Sequence, residues 1–185
     1  MPYYHCSPTP GLRCLRPGSP QYFDKPSLVY MTTSLPMALF YGIRNFEYTY
    51  GYHKTGQLYF AEYFPDALQT LYARKSASLY LCAPENATPT EIPNEAVSAQ
   101  PVPVLKETVI PDICEALLEQ ERQGALQILH YGDLTQEMLS WIRDAVATEI
   151  REHHLLHSDS PMAAYMRVHY PESWALCEKE EITER

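Results

Sequence analysis

The sequence predicts an α+β fold in which strands come first and helices last. Through the first 130 residues, short runs rich in β-branched and aromatic residues alternate with Pro and Gly, which is typical of strands separated by turns. From residue 133 onward the apolar residues recur at helical spacing instead. An apolar content of 45% with 20% charged residues is ordinary for a globular chain of 185 residues. We therefore expect a core over residues 1–130 and a helical extension over residues 131–185 that packs on it as one domain.

Clusters of aromatic and β-branched residues mark the predicted strands. They lie at 3–7, 27–32, 79–82, 102–109 and 126–129. The stretch 84–103 contains five prolines, so any strand there is short or at a sheet edge.

Capping residues and proline positions mark the predicted helices. Ser34 is the N-cap of a helix that extends to about Arg44, and Asp133 with Gln136 forms a capping box for a long helix. Other helices are expected at 65–75 and 111–123 and from near Pro161 and Pro171. Between the first two predicted strands, residues Pro17 to Pro26 form a loop rich in Pro and Gly. Residues 46–64 alternate aromatic and polar positions, which predicts a hairpin or a lid-like insertion.

The net charge of −9 is unevenly distributed. Residues 1–60 carry five basic and two acidic side chains, so the first third is positive and the remainder is strongly acidic. An acidic body without a basic stripe excludes broad nucleic-acid binding and binding to membrane surfaces. The positive first third is compatible with one small anionic ligand.

The cysteines and histidines indicate a reduced compartment and no metal. The five cysteines form no CxxC pair, no leader precedes them, and no apolar run reaches transmembrane length, which favours a cytoplasmic protein without structural disulfides. His153 and His157 have a spacing that can bind zinc, but no third ligand completes the set. Histidines in a last helical turn more often interact with the helix dipole, so no metal is expected.

Three segments of the first 110 residues form one pattern. They are Tyr-His-Cys-Ser at 4–7, Leu-Val-Tyr-Met-Thr at 28–32 with a second tyrosine eleven positions after the first, and Asn-Glu-Ala-Val-Ser at 94–98. Together they resemble the His–Tyr–Glu motifs of the diphtheria-toxin and poly(ADP-ribose) polymerase class of ADP-ribosyltransferases. The resemblance implies a split mixed or antiparallel sheet with flanking helices and NAD as the substrate.

The resemblance also implies a role for each residue of the pattern. His5 would bind a ribose hydroxyl, and the backbone of Cys6 would contact the nicotinamide carboxamide. Tyr30 and Tyr41 would stack on the nicotinamide ring, and Glu95 would be the catalytic carboxylate. We expect the four side chains of His5, Tyr30, Tyr41 and Glu95 to converge on one cleft.

Two alternatives for the glutamate stay open, because the proline-rich stretch leaves the strand register uncertain. Glu107 is the second choice: if Glu95 lies on the opposite sheet face from His5, the assignment of Glu95 by resemblance ends and Glu107 is to be examined. Glu91 also lies near a strand. The family has glycine where this chain has Cys6, and the polymerases have serine where it has Ala38.

The function that the resemblance implies is NAD-dependent mono-ADP-ribosyl transfer to an unidentified macromolecular acceptor, with release of nicotinamide. Two alternatives use the same fold: hydrolysis of NAD, and removal of a 2′-phosphate from RNA. A third is a module of this fold that binds a ligand or partner without turnover, and Cys6 is the residue that most favours it.

Overall fold

A computed structural model describes residues 2–18, 27–45 and 48–183 of the chain. Most of the predicted loop from Pro17 to Pro26, and the first positions of the 46–64 segment, lie outside the described residues.

The chain forms two compact units. The first comprises Met1–Tyr59 and Leu68–Gln127, and the second comprises Phe60–Ala67 and Ile128–Arg185.

Seven strands of the first unit form one sheet in the part of the chain that the structure describes. They are β1 (Tyr3–Ser7), β2 (Cys14–Leu15), β3 (Val29–Thr32), β6 (Ala77–Cys82), β7 (Thr88–Pro89), β8 (Glu95–Ser98) and β9 (Val102–Ile110), with β4 (Tyr50–Tyr52) and β5 (Leu58–Ala61) intervening along the chain. The order across the sheet is β2-β9-β6-β1-β3-β8-β7. Each neighbouring pair is antiparallel. The α+β class is confirmed, and the three motif strands β1, β3 and β8 are adjacent.

The helix after β3 begins as predicted and ends earlier. In α1 (Leu35–Phe40) the Ser34 side chain accepts a hydrogen bond from the backbone N–H of Met37. The chain turns at Gly42, where a Cβ would lie 2.9 Å from Cδ1 of Ile113 and 3.1 Å from Sγ of Cys6. This close approach requires glycine at position 42. Helix α1 ends at Phe40, short of the predicted Arg44.

Two further helices lie in or beside the first unit. In α3 (Ile113–Arg122) the side chain of Asp112 caps the start by accepting from the N–H of Glu115. The shorter α2 (Ala67–Tyr72) follows β5. Strands β4 and β5 form the hairpin predicted in the 46–64 segment, and Gly56 adopts a φ of +85° in its turn.

One face of the large sheet carries a hydrophobic core. Its buried members are Leu15, Val29, Met31, Tyr80, Cys82 and Val102. The Tyr80 ring is fully buried, and its hydroxyl donates to the carbonyl of Thr9 at 2.6 Å and accepts from the N–H of Leu12 at 3.2 Å. The hydroxyl therefore fastens the loop after β1 onto the sheet.

The second unit is mainly helical. It contains most of β10 (Gln127–Leu129), followed by α4 (Gln136–Glu152), α5 (Pro161–His169) and α6 (Pro171–Thr183). Helices α4 and α6 are joined by the Ser173 hydroxyl, which donates to the carbonyl of Arg143 at 2.9 Å, and by other contacts along their length.

The predicted cap of α4 was wrong by two residues. Asp133 belongs to a short 3₁₀ turn, and Thr135 is the N-cap, its hydroxyl accepting from the N–H of Met138 at 3.2 Å. The helices expected near Pro161 and Pro171 are present. Within the described residues, no helix combines the length and apolarity needed to cross a membrane.

Replacing Tyr80 by Phe should lower the free energy of unfolding by about 1 kcal/mol, because the half-buried N–H of Leu12 and the carbonyl of Thr9 lose their partner. Urea unfolding measures this as a lower midpoint at unchanged slope. Tyr4→Phe is the control, since the Tyr4 hydroxyl makes no hydrogen bond among the described residues. Equal losses in the two variants would contradict the anchoring role of Tyr80.

Candidate functional site

His5 lies where the pairing of β1 with β3 stops. The two strands share one bridge, between Tyr4 and Thr32. Next to it, Nδ1 of His5 donates to the carbonyl of Tyr30 at 2.9 Å, which leaves Nε2 of the neutral ring as an acceptor. Burial lowers the pKa of His5, although the hydrogen bond to Tyr30 acts in the opposite direction. The imidazole therefore satisfies the carbonyl of Tyr30, which the pairing of β1 with β3 does not reach.

His5, Tyr80 and Glu107 form a row across three adjacent strands. Residues directly opposite each other in antiparallel strands share a sheet face. His5 is opposite Tyr80, and Tyr80 is opposite Glu107. The three side chains thus lie on the face that carries the hydrophobic core.

The Glu107 carboxylate is held by two donors. The Ser78 hydroxyl lies at 2.6 Å and the N–H of Gly11 at 3.0 Å from the same oxygen. The Tyr80 hydroxyl lies 3.2 Å from that oxygen, but its single proton is donated to the carbonyl of Thr9. The hydrogen bond from Ser78, followed by that from Gly11, lowers the pKa of Glu107. These contacts fix the loop after β1 to β9, which is a structural role.

Glu95 belongs to a second row, on the other face. Tyr4 is opposite Thr32, and Thr32 is opposite Glu95. Because neighbouring residues of a strand point to opposite faces, Glu95 shares its face with Tyr4 and not with His5. The expectation that all four side chains converge on one cleft was therefore wrong for His5, since a one-residue offset decides the face. The assignment of Glu95 by resemblance ends with it, and any role of Glu95 depends on its own surroundings.

Glu95 lies at the start of an edge hairpin formed by β7 and β8. One of its carboxylate oxygens accepts from the Thr90 hydroxyl at 2.7 Å. The preceding residue, Asn94, has a φ of +66°, and its carbonyl accepts from the N–H of Thr33 at 2.9 Å. Left-handed backbone at a non-glycine residue costs energy and is enriched at functional sites.

Tyrosines from the end of α1 and from β4 lie within electrostatic range of Glu95. The hydroxyls of Tyr41 and Tyr50 are 2.7 Å apart, and the ring of Tyr41 lies 4.7 Å from that of Tyr48. Burial raises the pKa values of Tyr41, Tyr50 and Tyr52, and the negative charge of Glu95 raises all three further. The carboxylate is thus close enough to act electrostatically on three neutral phenols.

Tyr30 and Cys6 share the Glu95 face. Tyr30 is opposite Val97 and remains 39% exposed. Cys6 is only 3% exposed, and its burial raises the pKa of the thiol to about 12, so the thiol is unreactive. Of the predicted set, the structure brings Tyr30, Tyr41, Cys6 and Glu95 to one face.

An open groove of about 590 Å³ lies beside Asn94, and we call it the Tyr52 groove. It is lined by Ser34, Tyr52, Thr55, Gly56, Gln57, Leu58, Asn94, Gly124 and Ala125. The Tyr52 hydroxyl donates to the carbonyl of Pro93 at 2.8 Å and is also hydrogen-bonded to the Asn94 side chain. The groove therefore adjoins Glu95 through its neighbour in sequence.

Tyr50 and Tyr52 were not among the predicted site residues. Their signal is the alternation of aromatic and polar residues along the 46–64 segment, which predicts a hairpin or a lid-like insertion and no site residue. Which side of that hairpin meets Glu95 depends on tertiary packing.

The histidines at the end of α4 are bound to separate carboxylates. Nε2 of His153 lies 3.3 Å from Glu149, and Nε2 of His157 lies 2.6 Å from Glu181. Over residues 2–18, 27–45 and 48–183, no group of three His, Cys, Asp or Glu side chains is arranged to hold a metal ion.

Comparisons with known proteins identify no relative. No protein-family model, no curated protein and no solved structure matches the chain. A functional assignment therefore depends on the chemistry of the residues themselves.

The buried His5 should make the unfolding free energy depend on pH. Its pKa is lower in the folded protein than the usual 6.5, so below that pH the unfolded chain binds a proton that the folded protein does not. The stability contributed by the neutral ring is present above pH 6.5 and is lost as the pH falls through that value. The difference in unfolding free energy between the parent and His5→Gln should therefore shrink from pH 7.5 to pH 5.

Chemical denaturation across this pH range measures that difference. The exposed His154, replaced by Asn to suit its φ of +52°, is the control and should keep the parent's pH dependence. A His5→Gln protein whose stability changes with pH as the parent's does would show that His5 ionises freely in the fold.

Proposed function

We propose that this chain binds NAD and transfers its ADP-ribose to a macromolecular acceptor, with release of nicotinamide and without a metal. The observation that supports this most is that Glu95 and Tyr30 share one sheet face, with Tyr41, Tyr50 and Tyr52 within electrostatic range of the Glu95 carboxylate. The combination supplies a carboxylate beside aromatic rings, which the cleavage of a nicotinamide–ribose bond requires.

The proposed chemistry uses Glu95 to stabilise positive charge. The bond between nicotinamide nitrogen and ribose carbon breaks, the electron pair leaves with nicotinamide, and the sugar acquires oxocarbenium character. The Glu95 carboxylate stabilises that charge, and a nucleophile of the acceptor forms the new bond to the same carbon. The acceptor's proton passes to Glu95 or to solvent.

In this proposal His5 acts as a positioning residue. It lies on the other face from Glu95, and its hydrogen bond to the Tyr30 carbonyl fixes the end of β3. Through that strand it sets the position of Tyr30 and of the Thr32–Glu95 pair.

A ligand-binding module without turnover is the second candidate. The observation that favours it is the engagement of Tyr41, whose hydroxyl is bonded to Tyr50 and whose ring packs on Tyr48. A ring already held in this way has less room to stack on nicotinamide. The free thiols of all five cysteines are compatible with a reducing, cytoplasmic site of action for either candidate.

Replacing Glu95 by Gln should slow nicotinamide release by about 10²–10³-fold while NAD affinity changes little, because the charge it stabilises develops only in the transition state. Single-turnover assays of nicotinamide release and calorimetry with NAD measure the two quantities on the same protein. Glu91→Gln and Glu107→Gln are the matched comparisons for Glu95→Gln, since each removes one carboxylate in the same way.

Glu91→Gln should leave both quantities unchanged, since Glu91 is exposed. Glu107→Gln should reduce stability more than rate, because its donors lose a charged acceptor. A rate loss confined to Glu107→Gln would move the catalytic role to that residue. A parent that binds NAD but releases no nicotinamide would support the module instead.

Replacing Tyr41 by Ala should weaken NAD binding itself by about 1 kcal/mol, because stacking operates in the ground state as well. Calorimetry gives the dissociation constants, and Tyr4→Ala serves as the matched aromatic control elsewhere on the same face. Unchanged affinity in Tyr41→Ala, with its fold intact by circular dichroism, would remove Tyr41 from the site.

A further inference from the structure

The long helix of the second unit carries exposed apolar side chains that its buried stripe does not include. The buried side chains of α4 are Ile142, Val146, Ala147 and Ile150. Trp141 is 59% exposed, and Met138, about one turn earlier, is 37% exposed. Residues three apart on a helix are neighbours, so these two side chains form one surface.

An aromatic contact holds Trp141 in place. Its ring meets that of Tyr63 edge to face, with the ring centroids 5.9 Å apart and an interplanar angle of 85°. Both residues belong to the second unit. We call Tyr63, Met138 and Trp141 the Trp141 patch. A tryptophan already held by a neighbour loses little freedom when a partner covers its open side, and tryptophan is enriched among the residues that dominate interface affinity.

Carboxylates flank the patch along the helix. Glu137 lies four positions before Trp141, and Asp144 lies three positions after it, so both are its neighbours on the helix surface. Glu137 makes no side-chain hydrogen bond or ion pair among the described residues. Arg143, the basic side chain nearest in sequence, is already paired with Asp144 at 2.9 Å. The negative charge of Glu137 is therefore available to a partner.

The negative charge of the protein is concentrated in the same unit. Residues 60–67 and 128–185 contain 13 acidic and 5 basic side chains, a formal charge of −8 out of the total of −9. Two copies of the patch would bring together two strongly negative surfaces, which opposes self-association through it. The same charge repels anionic membranes and nucleic acids. A partner with positive charge around an apolar face meets neither obstacle.

We propose that the Trp141 patch docks a basic amphipathic segment of another protein. Apolar side chains of that segment cover Trp141 and Met138, and its Lys or Arg side chains lie against Glu137 and Asp144. The flexible thioether of Met138 adapts to side chains of different shape, and the face of the Trp141 ring attracts a cation. The carboxylates speed the encounter and select the sign of the partner's charge. This interaction involves neither Glu95 nor NAD.

A designed peptide of Leu and Lys, with Leu at helical spacing and no aromatic residue, is the probe. Titrated into the full chain without NAD, it should bind saturably and shift the emission of Trp141 to shorter wavelength as the ring becomes covered. Trp174, the other tryptophan of the chain, is already buried and contributes little to that shift. A Leu–Glu peptide of the same pattern and a scrambled Leu–Lys peptide should each bind about tenfold more weakly or worse.

Two pairs of variants separate the apolar contact from the charge. Trp141→Ala should weaken binding by about 30-fold, the usual effect of truncating a central interface tryptophan, and Ile182→Ala is the control at another exposed apolar side chain of the unit. Glu137→Gln should weaken binding by up to about fivefold at low salt and by less as the salt concentration rises. Glu152→Gln, which changes the net charge equally at the far end of α4, should bind as the parent does.

Absence of saturable binding at millimolar peptide would overturn the proposal. Binding without a shift in Trp141 emission, or undiminished binding by Trp141→Ala with its helix content intact, would show attraction by charge alone and would also overturn it. So would equal binding of the scrambled or the Leu–Glu peptide. Dimerisation that Trp141→Ala abolishes would give the patch to a second copy, and binding to phosphatidylcholine vesicles that it abolishes would give it to a membrane. The rate of nicotinamide release bears only on the proposed function.

Discussion

The bridge between Tyr4 and Thr32 is the constraint on which the arrangement of the site depends. It is the one pairing that the structure gives between β1 and β3, and Thr32 is in turn paired with Glu95. In antiparallel strands this register fixes the face of every side chain on β1, β3 and β8. A shift by one residue would exchange the faces of His5 and Cys6. The hydrogen bond from His5 to Tyr30 lies beside the bridge and satisfies the carbonyl where the ladder ends.

The two faces that result have different electrostatic character. On the core face, the charged Glu107 accepts from the Ser78 hydroxyl and the N–H of Gly11, so its charge is stabilised locally by hydrogen bonds. On the other face, Glu95 has one side-chain donor, Thr90, and lies near phenols whose burial keeps them neutral. A carboxylate with fewer fixed donors retains more capacity to act on a ligand. This difference favours Glu95 over Glu107 for chemistry.

Helix starts were predictable from the sequence, but the sheet face on which each candidate side chain lies was not. Ser34 and Asp112 cap their helices as their residue types predict, because capping involves only the next three residues. The need for glycine at position 42 depends on Cys6 and Ile113, which are distant in sequence. The separation of His5 from Glu95 depends on strand register across three segments. Neither feature can be recognised from neighbouring residues in the sequence. The sequence therefore predicted the candidate site residues one by one, but not how they are arranged in space.

Cys6 shows how a departure from the resemblance is accommodated. The family has glycine at this strand position, whereas here the Cys6 side chain lies on the Glu95 face and is buried. The thiol occupies the space that the missing Cβ of Gly42 leaves, since a Cβ there would lie 3.1 Å from Sγ of Cys6. In this contact the small residue, Gly42, follows helix α1, and the larger residue, Cys6, is on strand β1. Tyr41 directly precedes Gly42, so this contact also fixes the ring that lies beside Tyr50 and Glu95.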